Sequence, residues 1–205
     1  MQRQLFRLAL AATVFGLPLL ASAESTFVTG AGALTASARL DFQINIPKFL
    51  YVRVGTGTNA ATNATIDLIS FTVPVANVGD SSVIAGVGGD LAAGTVTARV
   101  QGNNGAITFG STTTGPLNNA TGDTISYGQI ATAVATNTSA TALAHPTLVD
   151  GATTNVALVP NVGTKGTNLD AKWTFTYRNQ FIVPPGTYGG VGINGGRVTY
   201  TASMP

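Results

Sequence analysis

Between Ala38 and Ile46 the chain alternates without interruption: Leu40, Phe42, Ile44 and Ile46 are large and apolar, while Arg39, Asp41, Gln43 and Asn45 between them are polar. Successive side chains of a strand point to opposite faces, so this period of two gives one face to bury and one to wet. The same period returns in Thr95 to Gln101 with Val96, Ala98 and Val100, in Lys172 to Arg178 with Trp173, Phe175 and Tyr177, and in Arg197 to Ala202 with Val198 and Tyr200. Between these runs lie segments rich in Gly and Thr, residues that favour turns and strands over helices. The pattern predicts an all-β, single antiparallel β-sandwich. Its candidate core is Leu40, Phe42, Ile44, Ile46, Val96, Val100, Trp173, Phe175, Tyr177, Tyr188, Val198 and Tyr200.

The connections carry their own signals. Pro47-Lys48 interrupts the first alternating run, because proline has no N–H to donate, and Phe49 to Val54 resumes as a more continuous apolar stretch. Ile66 to Val75 is a further strand candidate, and short strands are expected at Thr147 to Val149 and Asn155 to Leu158. Gly102-Asn103-Asn104-Gly105, followed by Ala106 to Phe109, predicts a hairpin, since Asn and Gly tolerate the positive φ of tight turns. The stretch Gly110 to His145 is dominated by small and polar residues, so one or two short edge strands and a short helix over Gln129 to Val134 are expected there.

The first residues set the compartment. Arg3 and Arg7 precede a mostly apolar run from Leu8 to Leu20, and Ala21-Ser22-Ala23 supplies the small-x-small pattern cut by a signal peptidase. A run this short falls below the roughly 20 residues needed to span a bilayer, so cleavage is favoured over anchoring. The expected organisation is a cleaved signal over residues 1–23, an extended arm over 24–36 and a sandwich over 37–205, and no membrane insertion is expected. Cleavage removes two of the ten basic residues and leaves eight against eight acidic ones. A neutral chain lacks the basic face that nucleic acid or an anionic membrane requires. Only 9% of residues are charged, against about 25% in ordinary domains, which suits a protein packed against copies of itself. Cysteine is absent, so no disulfide supports the fold in an oxidising compartment.

Reactive side chains are few. His145 is the sole histidine and precedes Pro146 in a polar stretch, which places it on a surface loop. Asp80, Asp90, Asp123, Asp150 and Asp170 sit mostly beside Gly, Asn or Ser, where aspartate forms turns by bonding its own backbone. No spacing of acids matches a calcium loop. Trp173, Phe175 and Tyr177 are read as core in preference to a sugar-stacking strip. No catalytic, cofactor-binding or metal-ligating residue is expected, and the chain is not expected to be an enzyme.

Pro184-Pro185-Gly186-Thr187-Tyr188, followed near the end by Arg197-Val198-Thr199-Tyr200-Thr201-Ala202, resembles the closing segment of bacterial chaperone–usher pilin and fimbrial subunits, including the spore-coat-U-like group. The resemblance implies an incomplete immunoglobulin-like sandwich completed by an extended arm from the next subunit. It also implies a homopolymeric surface fibre, reached through the periplasm with a periplasmic chaperone as a further partner. The candidate donor is then Glu24 to Ala36, carrying Phe27, Ala31 and Ala33. Two other classes remain open from the residues alone. One is a monomeric secreted module that grips a glycan or surface partner through loops 55–65 and 110–145, and the other is a small outer-membrane barrel.

Overall fold

Alternation becomes pairing where two matching runs lie side by side, and this happens throughout the second half of the chain. The computed structural model describes residues 24–160 and 164–205, so the expected signal over residues 1–23 lies outside the described residues. The strands, in chain order, are β1 (Leu50–Val54), β2 (Ile69–Ser70), β3 (Ile84–Ala85), β4 (Val87–Gly88), β5 (Thr95–Gly102) and β6 (Ile107–Thr113). They continue with β7 (Leu117–Asn118), β8 (Thr124–Ile125), β9 (Ile130–Ala135), β10 (Thr153–Leu158), β11 (Thr167–Tyr177) and β12 (Val198–Ser203). The only helical pieces among the described residues are two single 3-10 turns, Val75–Asn77 and Tyr127–Gln129. No helix among the described residues is long and apolar enough to cross a membrane.

Two antiparallel sheets face each other. The first runs β1-β5-β11, with β3 and β9 both pairing with β11, and the second runs β10-β6-β12. Leu50↔Gly102 and Val54↔Ala98 fix the β1–β5 register, and Thr167↔Gly102 through Thr174↔Thr95 fix β11–β5. Registers are strict because a slip of one residue would turn every inward side chain outward. Between the sheets lie Val96, Ala98 and Val100 from β5, Ile107 and Phe109 from β6, and Ala171, Trp173 and Phe175 from β11. Tyr177 is also buried, whereas Tyr188, Val198 and Tyr200 are half-buried. The two main sheets share no strand, so the barrel alternative does not describe this chain.

Several expectations need correction. Leu40, Phe42, Ile44 and Ile46 are not core: residues 24–46 contain no strand, and these four side chains are 76%, 85%, 84% and 74% exposed. The chain divides into a unit ending at Ile46 and a unit of 47–205, ten residues later than the expected boundary, because the pairing that absorbs side chains begins only at β1. Gly102 to Gly105 makes no hairpin, since β5 and β6 belong to different sheets. A tight hairpin needs positive φ at its central residues, and neither Asn103 nor Asn104 adopts it. The expected helix over 129–134 is instead the strand β9, held by its β-ladder to β11. Of the Ile66 to Val75 run only Ile69–Ser70 pairs, with β4, and 147–149 is not a strand.

Candidate functional site

The described residues offer backbone edges and an apolar arm. Among the described residues no group of three His, Asp or Glu side chains is placed to hold a metal ion. His145 is drawn in from the surface position expected for it. Its ring stands edge-on to Trp173 at 4.6 Å and to Phe175 at 5.4 Å, and its Nε2 lies 2.8 Å from the Tyr200 hydroxyl. Burial lowers its pKa from 6.5 to about 4, because desolvation penalises the charged ring. A neutral histidine locked among aromatics is poorly placed to act as a base at neutral pH.

Asp170 likewise departs from its expected turn. It lies on β11, almost wholly buried, and its carboxylate accepts from the Thr138 and Ser139 backbone N–H groups at 2.9 and 2.8 Å, from the Ser139 hydroxyl at 2.9 Å and from Asn137 Nδ2 at 3.2 Å. The Thr138 hydroxyl donates to it as well. Burial on its own would raise the pKa, but the donors from Thr138 and Ser139 outweigh it and hold the group well below the usual carboxylate range. Asp80, Asp90 and Asp150 do accept from nearby or facing backbone N–H groups, those of Ser82, Thr97 and Tyr127 respectively, and Asp123 accepts from the Asn119 side-chain amide.

This Asp170 anchor explains why one flank of the sandwich is closed. From it the chain crosses between the sheets: Leu143 N donates to Asp170 O at 3.0 Å, and Trp173 Nε1 donates to Leu143 O at 2.9 Å. Leu143, Pro146 and Leu148 are buried along the crossing. It ends on the second sheet, where the Thr154 hydroxyl donates to Thr147 O and the Thr113 hydroxyl donates to Val149 O at 2.6 Å.

The other flank is bounded by two open strand edges. Here β1 and β12 run close to one another, yet among the described residues neither has a hydrogen-bonded neighbour on the edge away from its own sheet. Val52 and Val54 of β1, together with Val198, Tyr200, Ala202 and Met204 on or just after β12, are only half-buried. Unpaired N–H and C=O groups beside incompletely covered apolar side chains form a template for one more strand.

The first unit, considered by itself, has the complementary character. Arg39 forms a bidentate pair with Glu24, its Nε 2.7 Å and its Nη2 3.0 Å from the carboxylate oxygens, and the Thr26 hydroxyl donates to Ser37 O at 2.7 Å. That contact lowers the Glu24 pKa. These bonds close residues 24–39 into a loop, on which Phe27, Ala31 and Ala33 are exposed. The alternating stretch 40–46 lies beyond the loop and belongs to no strand. Phe27, Ala31 and Ala33 share the parity of one strand face but sit on this loop with Thr29 among them, whereas Leu40, Phe42, Ile44 and Ile46 fill four successive positions of one face. The signal for this was present in the sequence as the strongest alternation in the chain.

Comparison with protein-family models, with curated proteins and with solved structures finds no match to this chain.

Proposed function

We propose that the chain is an exported structural subunit that assembles into a surface fibre by donating residues 40–46 of one copy to the open β1/β12 flank of the next. The observation that carries this is the presence of two incomplete parts in one molecule: an exposed arm with strict alternation, and a sandwich whose edge strands β1 and β12 lack an outer partner among the described residues. The lengths are compatible, since the seven residues from Leu40 to Ile46 can cover the six of β12. Donation satisfies the free backbone groups and inserts Leu40, Phe42, Ile44 and Ile46 between the sheets. Each such side chain contributes about 1.5–3 kcal/mol when taken from water. The contact is head-to-tail, so it propagates as an open filament and does not close on a dimer. The sparse charge offers little repulsion between stacked copies.

The test is electron microscopy and sedimentation of the chain from Glu24 onward, beside a variant lacking residues 38–46. Filaments in the full chain and folded monomers in the deletion are expected. Filaments that persist in the deletion would remove this reading.

A further inference from the structure

Donation to a second copy faces a competitor within the same molecule. The arm is joined to β1 by only three residues, Pro47-Lys48-Phe49, and β1 borders the open flank. A tethered strand sees its own acceptor at an effective concentration of the order of millimolar, far above a micromolar neighbour, unless the linker geometry forbids the contact. Self-insertion would cap every copy and end growth. Some feature of the fold must therefore hinder it, and the root of the arm contains one.

Asn103 grips both sides of that root. Phe49 N donates to Asn103 Oδ1 at 2.9 Å, and Asn103 Nδ2 donates to Pro47 O at 2.8 Å. The last β1–β5 pair is Leu50↔Gly102, so the next pair in register would be Phe49 with Asn103. A side-chain amide presents the same acceptor and donor as a peptide group, so Asn103 extends the ladder by one step beyond the point where its own backbone turns away toward β6. The ladder therefore continues through 47–49 on the β5 side of β1. Entry into the flank on the other side of β1 would need a hairpin at these same three residues. Such three-residue turns place one residue in the left-handed region, for which Pro47, Lys48 and Phe49 are all unsuited. Two neighbouring contacts fix the same corner: Lys48 Nζ donates to Pro205 O, and Asn104 Nδ2 donates to that oxygen at 2.7 Å.

We infer that Asn103 is a positioning residue that holds 47–49 in line with β1 and so commits residues 40–46 to the flank of a second copy of this chain. The inference rests on the strand-donation reading, deepening it by naming what selects the partner. Sedimentation and amide hydrogen exchange of the chain from Glu24 onward test it, comparing wild type, Asn103→Ala, and a chain with Gly-Gly inserted between Ile46 and Pro47. The insertion leaves the Asn103 bonds intact but supplies a turn upstream of them, so it decides the question even if Asn103→Ala folds poorly. Both variants are expected to raise the monomer fraction on the order of tenfold, and amides 40–46 of those monomers should be protected from exchange. Variants that polymerise as wild type does, or monomers whose residues 40–46 exchange freely, overturn the role of Asn103 while leaving donation intact. A wild-type chain that stays monomeric with a freely exchanging arm removes the donation reading itself.

Discussion

Replacing Phe42 by Asp is expected to abolish assembly at micromolar concentration without changing the thermal unfolding of the sandwich. Phe42 is 85% exposed in the unassembled chain, so the body loses nothing when it is changed. In the proposed filament the same position faces the interior of a neighbouring sandwich. The substitution forfeits about 2–3 kcal/mol of aromatic burial and places an unpaired carboxylate among apolar groups, at a further cost of several kcal/mol. A total of roughly 5 kcal/mol corresponds to more than three orders of magnitude in association. The alternation supplies the control. Gln43→Asp changes an outward position by the same charge and should leave filaments largely intact. Equal losses from both substitutions, measured by sedimentation, would mean that the arm is not read as a strand.

Acidification is expected to weaken the body between pH 6.5 and about 4, through His145. The folded pKa lies below the unfolded value, so in this window the unfolded chain binds the proton more readily. The stabilisation tied to the neutral ring is complete above pH 6.5 and is lost as pH falls through the window, amounting to about 3 kcal/mol. The cause is local: a charged imidazole would sit against Trp173 and Phe175 without a carboxylate to meet it, and the Tyr200 hydroxyl could no longer donate to Nε2. Asp170, whose folded pKa is depressed, adds its own loss of stability only as pH falls below the unfolded aspartate value of about 3.9, so it contributes little at about pH 4.5. Denaturant midpoints at about pH 7 and about pH 4.5 measure the effect. His145→Gln, which carries no titrating group, should flatten the difference. Equal midpoints for the original chain at the two pH values would contradict the account.

The strands that build the body were legible wherever a period of two coincided with dense burial. Val96 to Val100 and Trp173 to Tyr177 alternate in the sequence and lie on one inward face in the fold. The clearest alternation of all, Leu40 to Ile46, reads in the sequence as part of the body, because periodicity says that a segment fits a sheet and says nothing of which molecule owns the sheet. What separates the two cases is partner supply, and that becomes visible only when every edge has been assigned. Gly102 to Gly105 misled for a related reason. Its composition suits a hairpin, but the side chains of Asn103 and Asn104 are engaged by Pro47, Phe49 and Pro205, and the turn carries the chain to the opposite sheet. His145 and Asp170 left no sequence signal, since their burial depends on the crossing segment 137–148, which has no period to detect. The pattern proposed as donor is thus present in the sequence, while the edges of β1 and β12 and the Asn103 contacts arise only from topology.

Strand donation is tested most directly by hydrogen exchange on assembled filaments compared with dissociated chains from Glu24 onward. The account predicts that amides of residues 40–46 become protected on assembly, together with alternate amides of β12 that face away from β6. Filaments in which residues 40–46 exchange as freely as in the dissociated chain would contradict it.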